Sequence, residues 1–282
     1  MPKLGVVGAG TMGHGIAQVC AMAGFDVWLT DPNVKARAAA LERIRDNLKQ
    51  GVSRGKIGSA MQKLTLTNLT ITDDMAALAD EAEIIIESVP EKLHLKQELF
   101  SRLEELASVD CLFASNTSSL SIAQLAKPLR HPRRLIGTHF FNPAHIMKLL
   151  EVVVTEQTRP EVVTKVKFFG KKIRKEVIIV RDAPGFATSR LGVCLSMEAI
   201  RMVEQGIASA EDIDKAMVLG YRHPIGPLRL SDLVGLDDQL SIGDYLAKEL
   251  NNPAFEPPDL LRQLVQEGRL GQKTGQGFYY WD

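Results

Sequence analysis

Gly8-Ala9-Gly10-Thr11-Met12-Gly13 has the G-x-G-x-x-G spacing of a main chain that can wrap a pyrophosphate. The first glycine permits a tight turn and the second lets phosphates approach the backbone. The third lets the following helix pack close to its strand. A helix opening at this loop offers unsatisfied N–H groups and partial positive charge to an anion. Glycine triplets also arise by chance, so context gives this one its meaning. Apolar Leu4–Val7 precedes it, a helical pattern over Thr11–Ala23 follows, and Asp31 closes the next strand-like run, Asp26–Thr30. A carboxylate there can accept both ribose hydroxyls of NAD and would repel the 2′-phosphate of NADP. Capping the helix after Pro32 is the plainer use of the same residue. The expected cofactor is NAD.

A second group lies between Ser115 and Glu151. It comprises Asn116-Thr117-Ser118-Ser119, His139-Phe140-Phe141-Asn142-Pro143, and Glu151 within the apolar run Leu149–Val154. These polar residues fall at or near the ends of strand-like runs, where doubly wound sheets keep their ligand crevice. Oxidising an alcohol needs a group that takes the hydroxyl proton, and histidine suits that near neutral pH. Glu151 is expected to be buried on one side and therefore to need a donor, for which His139 is an available cation. Spacing alone does not bring the two together. The other histidines read as structural or solvated. His14 sits in the nucleotide helix, His94 on an amphipathic helix, His131 and His223 before prolines, and His145 has no evident carboxylate partner.

The elements that would position these groups form a βαβ unit at the N-terminus, which builds parallel sheet. A helix over Asn33–Gln50 follows, then a basic stretch with Lys49, Arg54, Lys56 and Lys63, longer than a simple crossover needs. Strands are expected at Leu64–Thr72, Glu83–Glu87, Cys111–Ser115 and Arg134–Phe140, with a helix over Leu93–Leu106. Leu149–Thr155 and Val177–Val180 flank a helical Pro160–Lys172 and finish the sheet. From Thr188 onward the pattern is helical, with Leu191, Cys194, Leu195 and Met202 on one face and Ser209 opening a helix. The fold class is α/β, a Rossmann-type, mostly parallel sheet domain over 1–183 and an all-α domain over 184–282.

Lys plus Arg and Asp plus Glu are 34 each, so no net field draws the chain to nucleic acid or an acidic membrane. No run of about 18 apolar residues could span a bilayer. The N-terminal Met-Pro-Lys, followed at once by a strand, leaves no room for a signal peptide. Cys20, Cys111 and Cys194 have no metal-type spacing and sit in apolar sequence, as reduced thiols of a cytoplasmic protein would.

These motifs together resemble the L-3-hydroxyacyl-CoA dehydrogenase family, in its short-chain 3-hydroxybutyryl-CoA form. The resemblance runs through Gly8–Gln18, Ala114–Leu120, His139–Pro143, Pro184-Gly-Phe186, Glu211–Asp214 and Gly271–Phe278, in order along nearly the whole chain. It implies oxidation of a 3-hydroxyacyl-CoA by NAD, with His139 as general acid/base, Glu151 as its partner and Ser118 between substrate and nicotinamide. It places Glu91, Lys96, Asn142 and Lys273 near NAD and Arg54 and Lys56 at the CoA nucleotide. It also implies that the helical domain forms a homodimer and borders the substrate cleft. One position departs. The family's usual catalytic-site Asn is Ser189 here, shorter by an amide, and one lost hydrogen bond would cost about 0.5–1.5 kcal/mol. The rivals are a sugar-acid dehydrogenase of the same superfamily, which would have no use for Arg54 and Lys56, and a non-catalytic NAD-binding protein.

Overall fold

In the computed structural model, which describes residues 2–281, eight strands make one sheet in the order β3-β2-β1-β4-β5-β6-β7-β8. The chain runs β1 (Lys3–Val7), α1 (Gly13–Met22), β2 (Asp26–Thr30), α2 (Val34–Ser53), α3 (Ser59–Thr67), β3 (Leu69–Thr72), α4 (Met75–Glu81) and β4 (Ile84–Glu87). It continues through α5 (Leu93–Leu106), β5 (Leu112–Ser115), α6 (Ile122–Ala126), β6 (Leu135–Phe140), β7 (Leu149–Val154), α7 (Pro160–Lys172) and β8 (Glu176–Arg181). Strand order reverses between β1 and β4, and such switch points open ligand crevices at the carboxyl ends of parallel strands. All pairings are parallel except β6 with β7. A core of Leu4, Val6, Ile16, Val27, Ile86, Ile136, Leu150 and their neighbours fills one face of the sheet. Val7, Ile85, Phe113 and Leu135, at intervening strand positions, are buried as well, which gives the near-continuous apolar runs of a sheet covered on both sides.

The expected strand Leu64–Thr72 is corrected, because its first half, through Thr67, is the end of α3. Alternating Leu64, Leu66, Leu69 and Ile71 imitates a strand period, but Asn68 sets the boundary. Its buried side chain donates to the Ala21 carbonyl at 3.1 Å, and its own carbonyl accepts from Val27 N–H at 2.8 Å. The basic stretch therefore has Lys49 at the end of α2, Arg54 and Lys56 in the turn that follows, and Lys63 on α3.

The chain divides into two compact units at Asp182 and Ala183. In the second unit, α8 (Thr188–Glu204), α9 (Ala210–Lys215), α10 (Pro227–Val234), α11 (Leu236–Leu250) and α12 (Asp259–Gln266) enclose a core that includes Val193, Met197, Ile200, Leu228, Leu246 and Leu261. The inward face of α8 is thus Val193, Met197 and Ile200. Of the face expected from Leu191, Cys194, Leu195 and Met202, Cys194 and Met202 pack half-buried against this core, whereas Leu191 is 73% exposed. The helix is apolar on two sides, so its period alone could not choose between them.

Two carboxylates fasten the C-terminal segment. Asp232, which is 1% exposed, accepts from Phe278 N–H, Tyr279 N–H and the Trp281 indole, each at 2.9 Å. Asp214 accepts from Leu228 N–H and Arg229 N–H at the start of α10 and from the Tyr279 hydroxyl. Removing the Asp232 carboxylate strands three donors, so Asp232→Ala should lower unfolding stability by on the order of 3 kcal/mol, read from the denaturant midpoint.

Candidate functional site

The glycine-rich loop leaves β1 and enters α1 under steric rules that exclude side chains. Gly8 has φ +106, and a Cβ there would lie 2.3 Å from the Ser88 carbonyl oxygen. A Cβ at Gly13 would lie 1.7 Å from Gly8 O. Over Gly10 the space is open, since a Cβ there meets no atom within 4 Å. Asp31 braces the loop. One carboxylate oxygen accepts Ala9 N–H at 2.9 Å and the other accepts Asn33 N–H at 2.8 Å. The helix cap considered for Asp31 belongs instead to Asn33, whose side chain accepts from Lys35 and Ala36 N–H. Each carboxylate oxygen still has a lone pair for a further donor. An open loop, the N-terminus of a ten-residue helix and a carboxylate at the end of β2 fit NAD.

Across the switch point, Glu87 ends β4 beside Val7 of β1 and is fully buried. Its Oε1 accepts Val89 N–H at 2.7 Å and the Lys96 ammonium at 2.6 Å, and its Oε2 accepts the Ser115 hydroxyl at 2.6 Å. Burial pushes the Glu87 carboxyl upward, against the pull of Lys96, Ser115 and Val89. Lys96, 1% exposed on α5, reaches Glu91 on its other side at 3.0 Å. The Oε1 of Glu91 gathers the Thr117 hydroxyl at 2.5 Å, Ser118 N–H at 3.0 Å and Ser119 N–H at 3.2 Å. Burial opposes ionisation of Glu91, but Lys96 and these donors outweigh it and hold the carboxyl below its usual range. One chain of charge thus runs from the buried end of β4 to the turn that carries Ser118.

His139 and Glu151 meet. They are directly opposed in the antiparallel pair β6–β7, and His139 Nδ1 lies 2.8 Å from Glu151 Oε2. Glu151 is fully buried and His139 is 8% exposed. The Phe141 ring packs on the imidazole with centroids 4.4 Å apart, and Phe140 N–H donates to Asn116 Oδ1 at 2.9 Å. A carboxylate on Nδ1 fixes the tautomer with its proton there and makes Nε2 the basic nitrogen. The arrangement can take a proton from a hydroxyl and stabilise the imidazolium that results.

Of the other expected site residues, Ala9 is buried beneath the glycine-rich loop, Thr11 is exposed and Met12 is half-buried. Asn142 lies exposed in the loop joining β6 to β7. Arg54 and Lys56 are exposed on the turn after α2. Ser189 and Lys273 belong to the second unit. Ser189 is half-buried in the first turn of α8, and the Lys273 ammonium pairs with Asp237 at 2.5 Å and Asp238 at 3.3 Å. Lys96, which sequence alone could place as a solvated helix residue, is instead at the centre of an ion-pair cluster. Glu87, Ser115 and Asn116 were not expected as organisers. The signal that singled out Glu151, a carboxylate in an apolar strand, is present at Ile84-Ile-Ile-Glu87 as well.

A family model described as "3-hydroxyacyl-CoA dehydrogenase, NAD binding domain" matches residues 3–183, and one described as "3-hydroxyacyl-CoA dehydrogenase, C-terminal domain" matches residues 185–281. The chain is 42% identical over 279 residues to a 3-hydroxybutyryl-CoA dehydrogenase of Mycobacterium tuberculosis, covering 98% of this chain and 97% of that one. It is 40% identical to the mitochondrial hydroxyacyl-coenzyme A dehydrogenase of Sus scrofa, covering 97% and 89%. Among solved structures, the (S)-3-hydroxybutyryl-CoA dehydrogenase from Ralstonia eutropha superposes with a TM-score of 0.96 at 35% identity, covering 100% and 99% of the two chains.

The Glu87–Lys96–Glu91 cluster is directly testable. Lys96→Met leaves a buried carboxylate without its cation and should destabilise the fold by about 3–5 kcal/mol. Without Lys96, the folded-state pKa of Glu87 rises further above its unfolded value. The folded state then binds the extra proton, so the deficit shrinks as pH falls and grows as pH rises through that pKa. Unfolding curves of both proteins at acidic and neutral pH would reveal this convergence.

Proposed function

The chain belongs to the 3-hydroxyacyl-CoA dehydrogenase family, and from that membership we propose that it interconverts (S)-3-hydroxybutyryl-CoA, or a near homologue, and the 3-oxoacyl-CoA. It is an NAD-dependent oxidoreductase. The observation that carries the mechanism is the buried His139–Glu151 contact at 2.8 Å. When bound, NAD supplies the acceptor for the hydride of the secondary alcohol. His139 Nε2 takes the hydroxyl proton in oxidation and returns it in reduction. Glu151 keeps the ring in the tautomer that leaves Nε2 basic and holds the opposite charge beside the imidazolium. Ser118 donates to the substrate oxygen from a turn that Glu91 organises. The backbone from Gly8 to Gly13 holds the pyrophosphate, Asp31 the adenosine ribose, and Glu91, Lys96, Asn142 and Lys273 border the cofactor. Ser189 stands at the family's Asn position as a shorter hydrogen-bonding group near the substrate. Arg54 and Lys56 meet the phosphates of the CoA nucleotide.

The second unit serves as the dimerisation domain. Support for the homodimer is its exposed apolar side chains, among them Leu191, Ile207, Leu219 and Tyr221, the last two 77% and 76% exposed. A cytoplasmic location is in keeping with three unbridged cysteines and with relatives from Mycobacterium tuberculosis and Bacillus subtilis. Among the described residues, no helix is long and apolar enough to cross a membrane.

The test follows NADH consumption with acetoacetyl-CoA, longer 3-oxoacyl-CoAs and a sugar-acid substrate side by side. Acetoacetyl-CoA should be turned over well and the sugar acid negligibly, and the reverse order would overturn the reading. His139→Gln should lower kcat by at least about 10²-fold, the scale of general-base catalysis, with NADH affinity near that of the parent. Glu151→Gln should also lower turnover substantially by mispairing the imidazole. Residual activity close to the parent's in both variants would assign the proton to another group. Charge reversal at Arg54 and Lys56 should raise the KM for acyl-CoA several-fold at low salt with kcat retained. An unchanged KM would remove them from the CoA site.

A further inference from the structure

Lys175 is a buried charge outside the mechanism described above. It is 8% exposed, and its ammonium donates to the carbonyls of Ala144, at 2.5 Å, and Met147. Among the described residues no carboxylate pairs with it, and burial pulls its pKa down. A desolvated ammonium answered only by carbonyl dipoles is a poor contributor to stability. Its effect falls instead on the segment it grips.

That segment is the loop of residues 141–148. It joins the strand bearing His139 to the strand bearing Glu151 and carries Asn142. Inside the loop, Pro143 O accepts from Ile146 and Met147 N–H at 2.9 and 3.0 Å. Ala144 is buried against the dinucleotide helix α1, where a Cβ built on Gly15 would come within 3.1 Å of Ala144 Cβ. Lys175 reaches the same loop from beyond the end of α7. Its placement is fixed by the end of α7. Lys175 N–H returns to Gly170 O at 2.8 Å, Arg174 takes a left-handed φ of 58, and Glu176 N–H binds Lys148 O at 2.8 Å. The loop is therefore held by α1 and by one ammonium.

We propose that Lys175 is a positioning residue that pins loop 141–148 against the dinucleotide helix and so holds Asn142 in place for NAD. The proposal rests on the reading of Asn142 as a cofactor-side residue. The His139–Glu151 pair is tied by the β6–β7 ladder itself, so loss of the pin acts on cofactor binding and not on proton transfer. Lys175→Met removes the donors and keeps the apolar stem.

The experiment measures NADH affinity by fluorescence titration, steady-state kinetics, and hydrogen exchange of the Ile146 and Met147 amides. It uses the parent, Lys175→Met, Lys175→Gln and a surface control, Lys167→Met. The Kd and KM for NADH should rise about tenfold in Lys175→Met, the scale of one charge-assisted hydrogen bond. Lys175→Gln should fall between that variant and the parent. kcat at saturating NADH, the KM for acyl-CoA and the pH profile should stay within about twofold, and exchange at Ile146 and Met147 should accelerate. A folded Lys175→Met with NADH affinity and loop exchange like the parent would overturn the proposal. So would a uniform loss of kcat without the split. If Lys175→Met does not fold, Gly15→Ala pushes the same loop at Ala144 and should give the same weakened NADH binding and faster exchange. Unaltered NADH binding and loop exchange in that variant would count against the pin. Faster exchange with unchanged NADH affinity would keep the clamp and remove Asn142 from the cofactor site. A parent that fails to bind NADH would sink the functional reading itself.

Discussion

A carboxylate with no solvent exposure has to be answered by a donor inside the protein, and at Glu151 the donor is the imidazole of His139. That single contact depends on a reversal of strand direction. The first six strands are parallel, and only the turn from β6 into antiparallel β7 sets positions 139 and 151 face to face within twelve residues. A parallel return would need a long crossover and would not place these two residues as neighbours after so short a loop. The His139–Glu151 pair is thus carried by a sheet ladder, a more rigid support than a surface loop.

A second buried carboxylate, Glu87, orders the other side of the crevice by the same rule. Its acceptors are filled by Ser115 on the adjacent strand, by Val89 N–H and by Lys96, and through Lys96 the charge reaches Glu91 and the turn from Thr117 to Ser119. Two strand ends, a helix and a polar turn are locked together by five side chains. This is where the sheet changes strand order, the place at which such folds open a ligand crevice. The unit that follows repeats the principle with Asp232, which anchors its C-terminal segment through two backbone donors and the Trp281 indole, and with Asp214, which binds the start of α10 and the Tyr279 hydroxyl.

Loop 141–148 adds a third kind of restraint. It has no regular ladder of its own, so its position depends on what touches it. It packs on α1, the helix that follows the glycine-rich loop, and it is gripped by the Lys175 ammonium just past the end of α7. The position of the loop is therefore set by contacts distant in sequence.

Much of this was legible in the residues themselves. The glycine spacing, the acidic end of the second strand and the apolar runs dictate a βαβ start, because steric space at Gly8 and Gly13 is a local property. Glu151 could be recognised as buried from its apolar neighbours, since burial of a strand is written in its hydrophobic pattern. Tertiary structure alone decided which donor answers it, because strand direction is a choice between pairings and leaves no mark on residue types. It likewise decided that Leu64–Thr67 is helical, through the Asn68 tether to α1, and that Lys96 is a core cation rather than a solvated one. Lys175 was silent in the sequence for the same physical reason. A lysine among lysines shows its role only when the fold has removed its water and left two carbonyls in reach.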